Sequence, residues 1–149
     1  MPRDKRIRIF YLSYNPPVPS WGWAMSFYRH FVERVDCEVE FEIEPLLKLC
    51  GFQIMVMEDL PFKKQVEVCA TASTLVGPHG GGLTNLLFCP QKSKIGEIAV
   101  DGVFPHYSGM AQQSGHLFHR LMVSKAGAQD MVVDVAIFEQ WLRLHFNEA

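Results

Sequence analysis

Short apolar segments alternate with longer segments of mixed polarity along most of the chain, and glycine, proline or charged residues bound them. Runs of about four to eight β-branched and aromatic residues are typical of strands, whereas apolar positions spaced by three and four indicate helices. The pattern predicts strands at residues 6–13, 52–57, 73–76, 95–100, within 117–124 and at 131–133. It predicts helices at 40–50, 60–72, 83–88, 106–115 and 134–146.

Glycine, proline and aspartate set several of the expected element boundaries. Gly51 is expected to end the first helix, Pro61 to lie in the first turn of the second, and Asp134 to cap the last. Residues 20–35 are expected to form a loop that leads into a helix. Residues 77–82 are expected to form a tight loop between a strand and a helix.

The alternation of strands with helices predicts an α/β fold: a Rossmann-like parallel sheet with helices on both faces. A chain of 149 residues suits one domain with a core that needs no disulfide to be stable. In parallel sheets of this kind, ligands bind in the crevice at the carboxyl ends of the strands. The glycine loop at 77–82 follows a strand directly, so it is expected at that crevice.

The segment Gly77-Pro-His-Gly-Gly-Gly-Leu-Thr-Asn85 is the most informative for chemistry. Three consecutive glycines remove every side chain, so a ligand can approach the backbone, and the helix that follows directs free N–H groups at it. His79 can donate to an anion, and Thr84 and Asn85 add a hydroxyl and an amide. The segment predicts a phosphate cradle without lysine; the alternative is a tight turn with no ligand.

Three well-known glycine motifs do not fit this segment. A Walker A loop needs Lys-Ser/Thr after its last glycine, where Leu83 and Thr84 stand, and the dinucleotide fingerprint needs a glycine where Asn85 stands. The oxyanion loop of lipases requires a Gly-x-Ser-x-Gly nucleophile segment, which the sequence lacks.

Composition excludes further classes of function. The net charge is −2, with 14 basic and 16 acidic residues, so no broad basic field favours nucleic-acid binding. No apolar run reaches the roughly 20 residues of a membrane helix, and the amino terminus lacks the apolar block of a signal peptide. The four cysteines include no CxxC pair, which argues against a zinc site. Cys50 and Cys69 are expected to be small buried apolar residues, and disulfide pairing stays open.

Histidines and one aspartate are weaker candidates for metal or ligand binding. His116 and His119 could share a helix face as metal ligands with His106 nearby, but surface or satisfied core histidines are favoured, so no metal site is predicted. Asp101 could contact a ligand after its strand, and a plain loop acid explains it equally well.

Residues 60–65, 72–90 and 95–98 together resemble glycosyltransferase family 61. The family pattern has a glutamine-bearing helix, a short apolar strand, Gly-x-His-Gly-Ala-Gly-Leu-Thr-Asn, an apolar Leu-Phe-x-Pro and a strand carrying glutamate. The resemblance implies the carboxyl-terminal, donor-binding lobe of a GT-B glycosyltransferase. It also implies inverting transfer from a nucleotide sugar, UDP-linked, to a glycan or glycoprotein acceptor, with no metal or other cofactor required.

The resemblance also carries residue roles. Glu97 would face the ribose or base of the donor. The catalytic general base is expected on an amino-terminal lobe that nothing in residues 1–149 matches, so the whole chain is expected to be one donor-lobe domain. Gly81 stands where the family usually has alanine, and residues 13–15 lead to prolines instead of an arginine-rich loop. The residues expected to face the diphosphate are His79, Gly80, Gly81, Gly82, Thr84 and Asn85, with His79 as a stabiliser of its charge.

The same resemblance implies a place in the secretory pathway, in the Golgi or the endoplasmic reticulum. Two alternatives stay open at this point. The chain could be a non-catalytic nucleotide-sugar-binding domain, or a degenerate fragment without a ligand.

Overall fold

The structure, a computed structural model, describes residues 7–12, 46–126 and 130–146. The predictions for residues 20–35, for residues 13–15 and for the first part of helix 40–50 lie outside this part of the chain. Of that helix, residues 46–49 are described and helical, and Gly51 follows with a φ of +79°. A left-handed glycine is the usual helix terminator, so the predicted end is confirmed.

Five parallel strands form the central sheet in the order β2-β1-β3-β4-β5. The strands are β1 (Ile7–Leu12), β2 (Phe52–Val56), β3 (Ala72–Pro78), β4 (Lys94–Ala99) and β5 (Leu117–Met122). The predicted parallel α/β sheet is therefore confirmed. A separate antiparallel pair, β6 (Ser124–Ala126) with β7 (Asp130–Val132), follows the sheet. The sequence pattern indicated only its second strand, because β6 has no apolar run of its own.

Helices connect the strands near the predicted positions. Asp134 caps the last helix as expected, since its Oδ1 accepts a hydrogen bond of 3.0 Å from the Ile137 amide. Pro61 directly precedes the first α-helix. The α-helices are α1 (Phe62–Cys69), α2 (His106–Gln113) and α3 (Val135–Phe146), and the 3-10 helices are Met57–Asp59 and Gly81–Phe88.

The region around the glycines differs from the prediction in two respects. β3 continues through Gly77 and Pro78, which pair with Glu97 and Ile98 of β4, so the expected loop is shorter. The helix that follows begins at Gly81 instead of residue 83 and is a 3-10 helix. Pairing with a buried neighbouring strand overrides the local tendency of glycine and proline to end a strand. We call Gly81–Phe88 the glycine-loop helix.

Apolar side chains cover both faces of the sheet. On one face, α3 and the helical residues 46–49 pack against Val76 and Ile98. On the other face, α1, the glycine-loop helix and α2 pack against Leu75 and Ile95. Alternate residues of β3 and β4 therefore point to opposite layers, as the period of a strand requires. The fold is a three-layer, Rossmann-like arrangement.

The strand order places a crevice beside β3. The chain passes from β1 outward to β2 and then returns to β3 on the other side of β1, so the direction of winding reverses between β1 and β3. Ligands of doubly wound folds bind at the carboxyl ends of the strands at such a reversal. β3 ends at Pro78, immediately before His79 and the glycines. The fold therefore places His79 and the glycines at the expected edge of the sheet.

Two sequence expectations concern cysteines and membrane segments. Cys69 and Cys89 are buried with free thiols and Cys50 is half-buried, whereas Cys37 lies outside the described residues. In the described part of the chain, no helix has both the length and the apolar character needed to cross a bilayer.

Candidate functional site

His79 lies at the end of β3 and is fixed at two points. Its backbone N–H donates to the Ile98 carbonyl oxygen over 2.8 Å, which extends the ladder between β3 and β4 by one bond. Its ring Nδ1 pairs with Oε1 of Glu97. A carboxylate only accepts hydrogen bonds, so Nδ1 carries the proton. The other ring nitrogen, Nε2, has no partner among the described residues and is available to a ligand.

Glu97 is a fully buried carboxylate in the interior of β4. One oxygen faces His79, and the other accepts a hydrogen bond of 2.7 Å from Nε of Arg120. The strand register explains this contact, because Glu97 is the direct pairing partner of Arg120 on β5. A buried charge is tolerated only when it is paired and hydrogen-bonded. His79, Glu97 and Arg120 therefore form one linked cluster, which we call the carboxylate cluster.

Arg120 was not identified from the sequence. Its side chain is 26% exposed, and its Nη2 atom is buried without a hydrogen-bond partner among the described residues. The available signal was Glu97 itself: a charged residue inside an apolar strand requires a counter-charge on a neighbouring strand. Identifying the partner would have required the register between β4 and β5.

Two aromatic side chains from the start of α2 surround His79. The ring centroids of His79 and Tyr107 lie 5.1 Å apart, and those of His79 and His106 lie 5.2 Å apart, both close to edge-on. Tyr107 is buried and hydrogen-bonds Thr84, whereas His106 is exposed. Burial, with a smaller contribution from the charge of Glu97, raises the pKa of Tyr107 above its ordinary value. Tyr107 is therefore a neutral phenol at neutral pH.

The glycines supply open backbone at the start of the glycine-loop helix. A Cβ atom added at Gly81 would meet no atom within 4 Å, so this side of the loop is open. The Leu83 amide donates to the Gly80 carbonyl oxygen over 3.0 Å, whereas the amides of Gly81 and Gly82 have no acceptor among the described residues. None of the three glycines is left-handed. Backbone conformation therefore does not require glycine in this loop, and a side chain is absent at Gly81 although there is space for one.

The remaining predicted site residues divide by exposure. Thr84 is exposed, whereas Gly82 and Asn85 are buried. The Asn85 side chain points to the protein, since its Nδ2 donates to Oε1 of Gln65 over 3.2 Å. Asp101 is exposed in the turn after β4. Ligand contacts by these residues stay predictions.

The histidines considered for a metal occupy separate places. His116 precedes β5, and its Nε2 lies 2.9 Å from the Leu86 carbonyl oxygen. His119 lies within β5 and stacks on His145 at 4.2 Å between ring centroids. The suggestion that His116 and His119 share a helix face was wrong, because this segment forms a strand. Among the residues that the structure describes, no group of three histidine, cysteine, aspartate or glutamate side chains lies close enough together to bind a metal ion.

A parallel α/β sheet with an amide-lined, side-chain-poor loop at its winding reversal defines a candidate binding domain for a phosphorylated ligand. Residues 29–96 match the family model described as Glycosyltransferase 61. Over 90 residues the chain is 28% identical to a Beta-1,2-xylosyltransferase of Arabidopsis thaliana. That alignment covers 58% of this chain and 17% of the relative, so the chain corresponds to a small part of that protein.

The two matches confirm the resemblance deduced from the histidine–glycine motif. Over residues 29–96 the chain resembles glycosyltransferase family 61, and by this resemblance it is similar to glycosyltransferases. The matched family segment contains the glycine loop and ends at residue 96, directly before Glu97. Arg120 and the aromatic residues of α2 lie beyond it.

Proposed function

We propose that this chain is the donor-binding lobe of an inverting glycosyltransferase of the GT-B type. In this proposal it binds the diphosphate of a nucleotide sugar, UDP-linked, at residues 79–82. One observation carries the proposal: Glu97 pairs with the His79 ring at the end of β3, and the next residues along the chain include two amides without a described acceptor. This segment lies where doubly wound folds bind ligands. The family match supports the choice of an activated sugar as the ligand.

The arrangement suits a diphosphate for electrostatic reasons. The amides of Gly81 and Gly82 begin a helix, where unpaired N–H groups and the aligned peptide dipoles favour an anion. The open space at Gly81 lets phosphate oxygens approach the backbone. Nε2 of His79, when protonated, adds a charge-assisted donor. Thr84 is exposed at the same end of the helix and completes the proposed contacts.

The carboxylate cluster gives Glu97 a role that differs from direct ligand contact. Both carboxylate oxygens are engaged, one by His79 and one by Arg120. A hydrogen bond to the ribose or base would require Glu97 to release one of these partners. We therefore propose that Glu97 acts by fixing the proton on Nδ1 and the orientation of the His79 ring. Arg120 balances the charge of the buried carboxylate.

The proposed reaction is a direct displacement at the anomeric carbon. The bond from that carbon to the diphosphate oxygen breaks, and an acceptor hydroxyl forms a new bond on the opposite face. The hydroxyl proton goes to a general base, which the proposal places on an amino-terminal lobe, and the nucleoside diphosphate leaves. The described residues contribute by stabilising charge on the leaving group, because donors that are already oriented need no reorganisation. The acceptor is a glycan or glycoprotein in the secretory pathway.

Calorimetric titration with UDP, UMP and uridine tests the diphosphate assignment. The wild-type chain should bind UDP more tightly than uridine, because only UDP offers a diphosphate to the loop. His79→Ala should weaken UDP binding by about 10- to 100-fold, which corresponds to the loss of one charge-assisted hydrogen bond of about 1.5–3 kcal/mol. The affinity for uridine should stay unchanged in this variant.

A matched control is His145→Gln, which removes a histidine on the other side of the sheet. It should leave UDP affinity at the wild-type value. Equal UDP affinities for His79→Ala and the wild type would reject the role of His79. Absence of any UDP binding by the wild-type chain at millimolar ligand would reject the donor-binding function as a whole.

A further inference from the structure

Gln65 of α1 links three segments of the fold through a single side chain. Its Nε2 donates to the carbonyl oxygens of Met57 and Leu60 over 2.8 and 2.9 Å. Its Oε1 accepts from Nδ2 of Asn85 over 3.2 Å. Both N–H donors and the oxygen of the amide are thus used. The turn after β2, helix α1 and the glycine-loop helix are joined at this one group.

The glycine-loop helix depends on such external contacts. It is a 3-10 helix, whose hydrogen-bond geometry is poorer than that of an α-helix, and its N-cap Gly80 has no side chain that could cap it. Asn85 follows Gly82 by three residues, which is one turn of a 3-10 helix, and both residues are buried. A displacement of Asn85 would therefore displace the amide of Gly82 as well.

Two further bonds hold the same helix but act elsewhere along it. His116 contacts the Leu86 carbonyl oxygen near the carboxyl end, and Tyr107 contacts the exposed Thr84 side chain. The Gln65–Asn85 bond is a side-chain hydrogen bond between this helix and α1, in addition to the apolar packing of Leu83 and Leu86 on the same layer. Because this bond lies one turn from the glycines, it is well placed to fix the positions of the glycine amide groups.

We propose that Gln65 and Asn85 are positioning residues, which hold the amides of Gly81 and Gly82 in the geometry that binds the diphosphate. This inference rests on the proposed function. It assigns Asn85 an inward role in place of the ligand contact implied by the family resemblance. Small displacements of binding groups have large effects, since about 1 Å can change a rate by roughly 100-fold.

Ser93 offers a control with a similar bond at the opposite edge of the sheet. Ser93 is buried, and its Oγ lies within hydrogen-bond distance of two carbonyl oxygens, that of Pro90 at 2.5 Å and that of Ala72, at the amino end of β3, at 3.0 Å. Ser93→Ala removes a buried side-chain-to-backbone hydrogen bond without touching the glycine-loop helix. A purely structural role for Gln65 predicts that Gln65→Leu and Ser93→Ala behave alike.

Hydrogen–deuterium exchange of the ligand-free chain is the first test. Gln65→Leu should increase the exchange rate of amides in residues 81–88 by about tenfold or more, relative to any global change. Ser93→Ala should leave these amides at wild-type rates after the same correction. Asn85→Ala is the second variant, which removes the same bond from the other side and should reproduce the effect. Wild-type exchange at residues 81–88 in both Gln65→Leu and Asn85→Ala would overturn the proposal.

UDP titration is the second test and separates the two levels of inference. Gln65→Leu should raise the Kd for UDP about tenfold and leave the Kd for uridine unchanged, whereas Ser93→Ala should change neither. Faster exchange with unchanged UDP affinity would overturn the positioning role. Absence of UDP binding by the wild type would reject the proposed function and the ligand part of this inference. The exchange data would still decide whether Gln65 holds the loop.

Discussion

The carboxylate cluster predicts strong thermodynamic coupling between Glu97 and Arg120. Arg120→Leu leaves a fully buried carboxylate with His79 as its one remaining described partner. Breaking a buried ion pair costs about 3–5 kcal/mol, and we expect about 3 kcal/mol here because Arg120 is 26% exposed. Glu97→Gln leaves the guanidinium unpaired but able to reach water, so we expect about 2 kcal/mol.

The double variant Glu97→Gln/Arg120→Leu distinguishes coupling from two independent losses. It removes the buried charge together with its counter-charge, so its cost should fall below the sum of the single costs by about 2 kcal/mol. Urea unfolding at pH 7, followed by circular dichroism and tryptophan fluorescence, measures the three free energies. The coupling should change little with salt, because buried pairs are weakly screened.

The exposed pair Glu139 and Arg143 on α3 is the matched control. Arg143 Nη2 lies 2.8 Å from Glu139 Oε1, and both side chains are about half exposed. The corresponding cycle, Glu139→Gln with Arg143→Leu, should give weak coupling that disappears at high salt. If the costs of Glu97→Gln and Arg120→Leu add within about 0.5 kcal/mol, the cluster is not coupled and the account of Glu97 fails.

Three further predictions concern other parts of the fold. Gly96→Ala should lower the free energy of unfolding by about 1–3 kcal/mol, because the new Cβ would lie 2.8 Å from the Phe146 ring. A midpoint of urea unfolding equal to that of the wild type would contradict the close contact between α3 and the sheet. Burial and the neighbouring His145 lower the pKa of His119. As the pH falls, the His119 imidazole therefore binds a proton more readily in the unfolded chain than in the folded one. This favours the unfolded chain, so thermal stability should fall as pH drops below about 6.5. His119→Phe should flatten the dependence of thermal stability on pH. An unchanged pH dependence in this variant would contradict the role of His119. Asp134→Ala should cost about 1 kcal/mol through the lost helix cap, and equal stability would show that the cap is dispensable.

Local patterns were sufficient for most of the fold. The strands and helices from residue 52 onward lie close to the predicted positions, because each apolar run is flanked by glycine, proline or polar residues. The exceptions depend on pairing between distant segments. β3 extends through Gly77 and Pro78 because β4 pairs with them, and β6 forms because β7 lies opposite. The 3-10 form of the glycine-loop helix was likewise not readable from its sequence.

The candidate site was predictable only in part. His79 and the glycines were predicted as site residues, because three consecutive glycines follow a strand and have His79, Thr84 and Asn85 beside them. Arg120 and Tyr107 were missed because they reach His79 and Glu97 through the register of β5 and the start of α2. Long-range contacts of this kind leave no periodic trace along the chain.

Glycine-selective 15N labelling with UDP titration tests the central claim most directly, because it observes the proposed donors themselves. The amide resonances of Gly81 and Gly82 should shift progressively with UDP and not with uridine. Gly51 and Gly115, which precede β2 and β5 at the opposite edge of the sheet, should stay in place. UDP binding that leaves the Gly81 and Gly82 resonances unmoved would contradict the diphosphate site.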